Sequence, residues 1–507
     1  MIKGIGSWLV KHSKVCPDRL ALVYNERRFT YAEFNERVNR LSHALLNLGV
    51  RKGDRVDALL LNTNEMMEAV FACAKIGAIF VPINFRLSVD EVLYIVNDSR
   101  AYHFIYDVRM RPLVDQLRLK GSSLQEYIHV GNNPHEEDSL YEELIADASN
   151  AEPEFDVVLD DIHLMMYTSG TTGKPKGAML SHGNTQWNAI NCIHSIPSDN
   201  SDITLCVAPL FHIGGMSVFT LPLFYKGGTV ILDDGFDPSR VLQKIHEERI
   251  TCIFLVPAMW QALTAVPNFE AYDISSLRFA VSGGAPCPIT VIEFYQKRNI
   301  PFYEGFGLTE TAPFVSILDK ENTVRKNGSV GKEPVHTTVR IVDPNDRDVP
   351  PGEVGELIVQ GPNVMVGYWN KPEATKEAIK NGWFYTGDLA KFDDEGFIYI
   401  VDRKKDMIIT GGENVYPIEI EQVLYRHENI AEVAIIGYPD EKWGESVKAI
   451  VSLKDKSQTI TVQDVASFID GKIARFKIPK QLEVVEALPR NATGKILKNV
   501  LRQQIQV

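Results

Sequence analysis

The stretch IHLMMYTSGTTGKPKG, residues 162–177, decides how this chain is read. Its first six residues are an apolar run that reads as a buried strand. The strand opens into YTSGTTGKPKG, which carries Thr168, Ser169, Thr171 and Thr172, glycines at 170, 173 and 177, Lys174 and Lys176, and no carboxylate. Glycine permits the φ angles that turn successive backbone N–H groups toward one point, and hydroxyls and ammonium groups add donors and charge. The physical reading is a phosphate cradle. It departs from the common nucleotide loop, because Pro175 follows Gly173-Lys174 where that loop has a magnesium-binding hydroxyl, and Thr168 stands five places before Gly173. A metal ligand must therefore come from elsewhere. A plain surface turn is the duller reading, and two lysines flanked by glycines speak against it.

Outward from this loop, helical and strand patterns alternate. RRFTYAEFNERVNRLSHALLNLGV has Thr30 as an N-cap with Glu33 at capping-box spacing, then Phe34, Val38, Leu41, Leu45 and Leu48 at helical intervals, and Gly49 as a stop. Strands are expected at 203–208, 229–232, 252–256 and 279–282. Such alternation predicts mostly parallel sheets with helices on both faces. Residues 131–156 are polar and acidic and read as a solvated connector. From about residue 327 short strands and Gly/Pro/Asp turns predict a small antiparallel sheet or barrel. The last hundred residues mix helices and strands.

A chain of 507 residues is long enough for several domains, and 45% hydrophobic content is ordinary for a globular protein. The net charge of −13 argues against a nucleic-acid partner. It is carried by the first 402 residues, the remainder being near neutral. Six cysteines without paired spacing read as thiols of a reducing compartment, the cytoplasm. The N-terminal apolar stretch is too short for a signal peptide. Residues 204–225 lack charge, but Pro209, Gly214, Gly215 and Pro222 break them into a strand, loop and helix rather than a membrane span.

Three further clusters carry chemistry. YEGFGLTE (303–310) places Glu304, Gly305, Phe306 and Gly307 where a planar base could lie, Thr309 as a donor to phosphate, and Glu310 as the missing carboxylate for Mg²⁺. Asp388 in FYTGDL suits a grip on two ribose hydroxyls, with Arg403 at the head of a basic run, although Asp388 could equally form a turn. PRNATGKILK puts Lys495 on a late loop. His212 in APLFHIGGM is either a core imidazole or a gate beside a pocket. No HExxH, Cys/His cluster or GxSxG elbow points to zinc or a serine hydrolase.

In this order, YTSGTTGKPKG, PLFHIGG, SGGAP, YEGFGLTE, GELIVQGP, GWFYTGDL, VDRKKDMIITGGENVYPIEIE and PRNATGKILK resemble the adenylate-forming superfamily, and within it the acyl-CoA synthetases, fatty acyl-CoA ligases most of all. The resemblance implies an α/β fold. Residues 1–402 would form a large N-terminal AMP-binding domain, with two mostly parallel βα sheets (about 1–165 and 166–325) and a small β-barrel-like subdomain (326–402). A hinge at 403–406 would follow, and then a small mobile α+β C-terminal domain, 407–507. It implies ATP, Mg²⁺ and coenzyme A acting on a small-molecule carboxylate. The carboxylate attacks the α-phosphorus of ATP, and a thiol then displaces AMP.

By the same resemblance Thr168, Ser169, Gly170, Thr171, Thr172, Gly173 and Lys174 form the phosphate loop. Gly283, Gly284, Ala285, Pro286 and Phe306 form the adenine slot, Phe306 standing where tyrosine is frequent. Asp388 and Arg403 hold the ribose, Glu310 the metal, and Lys495 bridges carboxylate and α-phosphate. Lys405 is the pivot that exchanges Lys495 for Gly411, Gly412 and Glu413, which line the thiol channel. The acyl pocket falls to Phe211, His212, Met259 and Trp260, with Trp260 either shortening the pocket or packing in the core. These apolar walls favour a medium- or long-chain fatty acid, with an aryl acid or a separate carrier protein as acyl acceptor left as alternatives. A homodimer and a peripheral membrane contact stay open.

Overall fold

The computed structural model describes residues 4–132, 135, 137–168, 174–440, 442–490 and 495–505. The helix Tyr31–Asn47 shows how directly local signals act. The Thr30 hydroxyl accepts the Glu33 N–H, and the Glu33 carboxylate returns to the Thr30 N–H at 2.8 Å. Phe34, Val38, Leu41 and Leu45 are fully buried on one face, each contributing about 1.5–3 kcal/mol relative to exposure.

Among the described residues four sheets form. The first, of eight strands, runs in the order Phe314–Ile317, Phe302–Gly307, Phe279–Ser282, Cys252–Leu255, Ile203–Cys206, Thr229–Leu232, Leu20–Tyr24, Arg27–Thr30. The second, also of eight, runs Gly367–Tyr368, Lys176–Ser181, Ile162–Thr168, Ile79–Pro82, Arg55–Leu59, His103–Asp107, Glu126–Val130, Ser139–Leu140. Interior pairs are parallel, and antiparallel pairs lie toward the edges. Strands covered on both faces read as continuous apolar runs, as Thr229–Leu232 does.

The sheets do not divide at residue 165, as the sequence suggests. Leu20–Tyr24 pairs in parallel with Thr229–Leu232, more than two hundred residues away. The hairpin of Ile162–Thr168 with Lys176–Ser181 straddles the expected boundary. A strand's own pattern specifies its buried face but not its distant partner.

The third sheet joins Thr338–Val342, Gly355–Gln360, Trp383–Phe392 and Ile379–Lys380, with Ile398–Arg403 on Trp383–Phe392. Its pairs are antiparallel, as the short strands and turns beyond residue 327 lead one to expect. The fourth comprises Glu413–Val415, Ile408–Thr410, Gly444–Leu453, Ile430–Asp440 and Gln481–Val484, with its own core of Ile408, Val433, Ile435, Val447, Ala449 and Val465. Residues 404–407 are all that separates the third sheet from the fourth.

The acidic connector is more than a solvated link. Tyr141 and Ile145 of the helix Tyr141–Asp147 enter the core. The Tyr141 hydroxyl donates to Glu68 at 2.6 Å, and Glu142 pairs with Arg37 at 2.9 Å. Its apolar positions are too few to reveal a buried face by periodicity. Residues 204–225 break as expected, into Ile203–Cys206, Ile213–Gly215, a π-turn at Met216–Thr220 and Leu221–Lys226, and no described helix is long and apolar enough to cross a membrane. All six cysteines are free.

Candidate active site

The strand Ile162–Thr168 delivers Thr168 to the mouth of the second sheet. Ser169, Gly170, Thr171, Thr172 and Gly173 lie outside the described residues. Where the chain resumes, the Lys174 ammonium stands 5.5 Å from the centre of the Tyr94 ring, and the Tyr94 hydroxyl donates to the Pro175 carbonyl at 3.1 Å. Glu310 sits on the single turn Thr309–Thr311 just past Phe302–Gly307. Its Oε1 accepts from the Tyr368 hydroxyl at 2.8 Å, and Thr168 Oγ1 lies 3.5 Å away. Tyr368 escapes a sequence reading. It arrives because Gly367–Tyr368 adds to Lys176–Ser181 as an edge strand. Burial, then the Glu310 charge, raises its phenol pKa, so it stays a donor. A carboxylate steadied through one oxygen leaves the other for a metal, and Mg²⁺ is commonly held by one or two carboxylates plus substrate phosphates. The residues present therefore fit magnesium.

Parallel pairing of Phe279–Ser282 with Phe302–Gly307 brings 283–286 alongside Gly305 and Phe306. Phe306 is half-buried, and Thr309 follows it at the turn. Glu304 is a different matter. Its side chain points into the core, where Oε2 accepts the Gly328 N–H at 3.0 Å, and burial lifts its pKa to about 8. Only its backbone can serve a nucleotide, because alternate strand residues face opposite sides.

Asp388 is 2% exposed, and its Oδ1 meets Arg403 Nε at 2.6 Å. The two residues face each other in the register of Trp383–Phe392 with Ile398–Arg403. Asp388 Oδ2 is buried with no partner among the described residues. An unpaired buried carboxylate oxygen costs about 1–3 kcal/mol or more, and vicinal hydroxyls would satisfy it. Burial raises this carboxyl, with Arg403 and Lys495 pulling the other way.

Lys495 has come to this place. Loss of solvent, then the charge of Arg403, lowers its amine to about 8, against the pull of Asp388 and Asp406. It therefore stands beside the ribose grip although it lies 107 positions beyond Asp388. Lys405 is exposed in the turn between the third and fourth sheets. Gly411 and Gly412, at φ 60° and 85°, form the tip of the hairpin Ile408–Thr410/Glu413–Val415, with Glu413 exposed and Trp443 against Gly411.

His212 precedes the helix Ile213–Gly215, after the strand Ile203–Cys206 of the first sheet. It is largely buried, its Nε2 has no partner among the described residues, and burial with the nearby Arg86 charge lowers its pKa to about 4. It is neutral at pH 7 and holds an unspent ring nitrogen. The Phe211 ring lies 4.6 Å from His212 and meets Phe85 edge-on at 5.3 Å. Phe254, unnoticed in the sequence, lies across Gly214 and Gly283. A Cβ at those positions would come within 2.8 Å and 3.3 Å of its ring. A side chain at Gly214 would run into that ring, and one at Gly283 would press on it.

Met259 is half-buried on the helix Pro257–Thr264, but Trp260 is no pocket residue. It is fully buried, donates Nε1–H to the Val281 carbonyl at 3.1 Å, and packs against Tyr295 and Phe302 at 4.9 and 5.1 Å. Helical period turns Trp260 and Leu263 to the core and leaves Met259 beside them on the open flank.

Taken together, Thr168, Lys174 and Glu310 could meet a polyanion and a metal, Asp388 a ribose, and Lys495 and His212 a carboxylate, with the Phe211, Phe85 and Phe254 rings near His212. Comparisons with known proteins bear on the family. A family model described as AMP-binding enzyme matches residues 9–369, and its C-terminal domain matches 419–495. A feruloyl-CoA synthase from Amycolatopsis is 42% identical over 502 residues, 99% of each chain. A long-chain-fatty-acid–CoA ligase from Mycobacterium tuberculosis is 39% identical over 508 residues, again 99% of each. The solved structure of an anthranilate CoA ligase with anthranoyl-AMP superposes with a TM-score of 0.94 at 28% identity, covering 99% of this chain and 97% of that one.

Proposed function

Because this chain belongs to the AMP-binding enzyme family, we propose that it is an acid–CoA ligase whose acid carries an aromatic ring. In the first step the carboxylate oxygen bonds to the α-phosphorus of ATP and pyrophosphate leaves. In the second the CoA sulfur bonds to the acyl carbon, the thiol proton goes to solvent, and AMP leaves. Mg²⁺ on Glu310 would neutralise charge on the phosphates. Lys495 holds the carboxylate against the α-phosphate, the neutral His212 orients the other carboxylate oxygen, and Asp388 fixes the ribose. Lys405 is the pivot that brings Gly411, Gly412 and Glu413 to the site for the second step.

The observation that carries the aromatic reading is the cluster of rings near His212. Phe254 lies across Gly214 and Gly283, and Phe211 and Phe85 meet edge to face. Ring faces beside bare backbone suit offset or edge contact with another ring. The feruloyl-CoA synthase and anthranilate CoA ligase likenesses support the same choice. The fatty-acid ligase likeness keeps an aliphatic chain as the second reading. Rates of CoA thioester formation over cinnamic, benzoic and indolic acids and straight chains of graded length decide between them. The aryl acids are expected to lead in kcat/KM by tenfold or more, on the order of one well-matched apolar contact. A rate that climbs steadily with aliphatic length would reverse the order.

A further inference from the structure

The adenine loop does not end within its own domain. Residues 283–286 run through Cys287 and Pro288 into the helix Ile289–Gln296. That helix has no side-chain cap, because Pro288 occupies the N-cap position and offers no acceptor. The first N–H groups of a helix have no partner inside it. Here the Ile289 N–H is met from the C-terminal domain: Gln422, on the helix Pro417–Leu424, accepts it on Oε1 at 3.4 Å. The same carboxamide donates Nε2–H to the Cys287 carbonyl at 3.1 Å. One side chain thus closes a donor and an acceptor of the backbone that leaves the adenine slot. A second amide, Gln261 Nε2, reaches back to the Ala431 carbonyl at 3.2 Å. At the hinge end the contacts are charged instead, with Arg502 on Asp406 at 2.7 Å and the Ile418 N–H on Asp402 at 3.2 Å.

We infer that Gln422 is a positioning residue for adenylation: by capping Ile289 from across the domain boundary it ties the order of the adenine loop to the docking of the C-terminal domain. This rests on the two-step ligase reading above. Neutral amide contacts hold without the desolvation cost of a buried ion pair, and they release readily when the domain turns for the second step. Coupling is reciprocal, so a nucleotide that orders 283–286 favours the docked domain, and the docked domain favours nucleotide.

The test separates the half-reactions in the full chain. Gln422→Ala is expected to slow carboxylate-dependent ATP–pyrophosphate exchange about five- to tenfold and to weaken ATP binding, measured by equilibrium titration, by a similar factor. Thioester formation from supplied acyl-adenylate and CoA is expected to stay at the wild-type rate. Gln422→Glu keeps the acceptor but sets an oxygen against the Cys287 carbonyl, so it is expected to be at least as slow as the alanine variant. Equal loss in both half-reactions would reduce Gln422 to a fold contact and overturn the inference. So would unchanged exchange in Gln422→Ala, or wild-type exchange in Gln422→Glu. Absence of exchange in the unmodified protein would instead count against the ligase reading itself.

Discussion

The two halves of the candidate site are made from different materials. The half around Glu310 and Asp388 is charge and hydrogen bond: Thr168 and Tyr368 on Glu310, Arg403 on Asp388, and Lys495 beside them. The half around His212 is shape: Phe254 across two glycines, Phe211 on His212, and an imidazole nitrogen without a partner among the described residues. On the proposed ligase reading, the first half handles groups common to every turnover, so its chemistry is particular and its residues are few. The second half has only to fit a tail, and many apolar arrangements can do that.

The largest test of this contrast is Lys495→Ala. Removing a cation aimed at developing charge is expected to cost about 10²–10³-fold in ATP–pyrophosphate exchange, with thioester formation from supplied acyl-adenylate largely spared. Loss of both steps together would make Lys495 a structural residue rather than a charge brought in for one step.

Next come two aromatic residues, Trp260 and Phe254. Trp260→Ala opens the core and is expected to cost about 3–5 kcal/mol in urea unfolding, with no change in the ranking of acids among molecules that stay folded. Phe254→Ala should be milder in stability and should shift the aryl-to-aliphatic ratio of kcat/KM by about tenfold. If Trp260→Ala altered the ranking and Phe254→Ala did not, the acyl wall would have to be redrawn around the helix Pro257–Thr264.

The smallest effect is in pH. The Lys495 amine, lowered to about 8, is charged below that value and loses its charge above it. In the free enzyme, kcat/KM for adenylation should therefore be halved near pH 8 and fall further to pH 9.5. His212, lowered to about 4, is neutral throughout and should contribute no limb between pH 6 and 9. A flat profile from 6 to 9.5 would detach Lys495 from the chemistry.

Reading by sequence worked where chemistry needs particular atoms in a short span. The Thr30 capping box and the interior apolar strands formed as expected, and Asp388 and Arg403, proposed together from the sequence, meet in space. It worked less well where one residue type serves several ends. Trp260 reads as pocket wall or core because tryptophan lines both, and only the orientation of its helix puts it in the core. Glu304 reads as a site residue because it stands in a motif, although strand alternation turns its carboxyl to Gly328. Tyr368 and Phe254 give no sign at all, since aromatics in apolar stretches are ordinary.

Sequence alone therefore pointed to the family and supplied the roster of charged groups, because those depend on residue type and local spacing. Tertiary structure decided which groups share an oxygen, which aromatic rings lie near His212, and which sheet claims Leu20–Tyr24. It also decided that Lys495 stands near Asp388 and Arg403 and that Gln422, from the same small C-terminal domain, reaches the backbone at Cys287 and Ile289. The physical reason is that spacing along the chain governs a cap or a turn, whereas a contact between residues a hundred or more positions apart depends on the packing of everything between them.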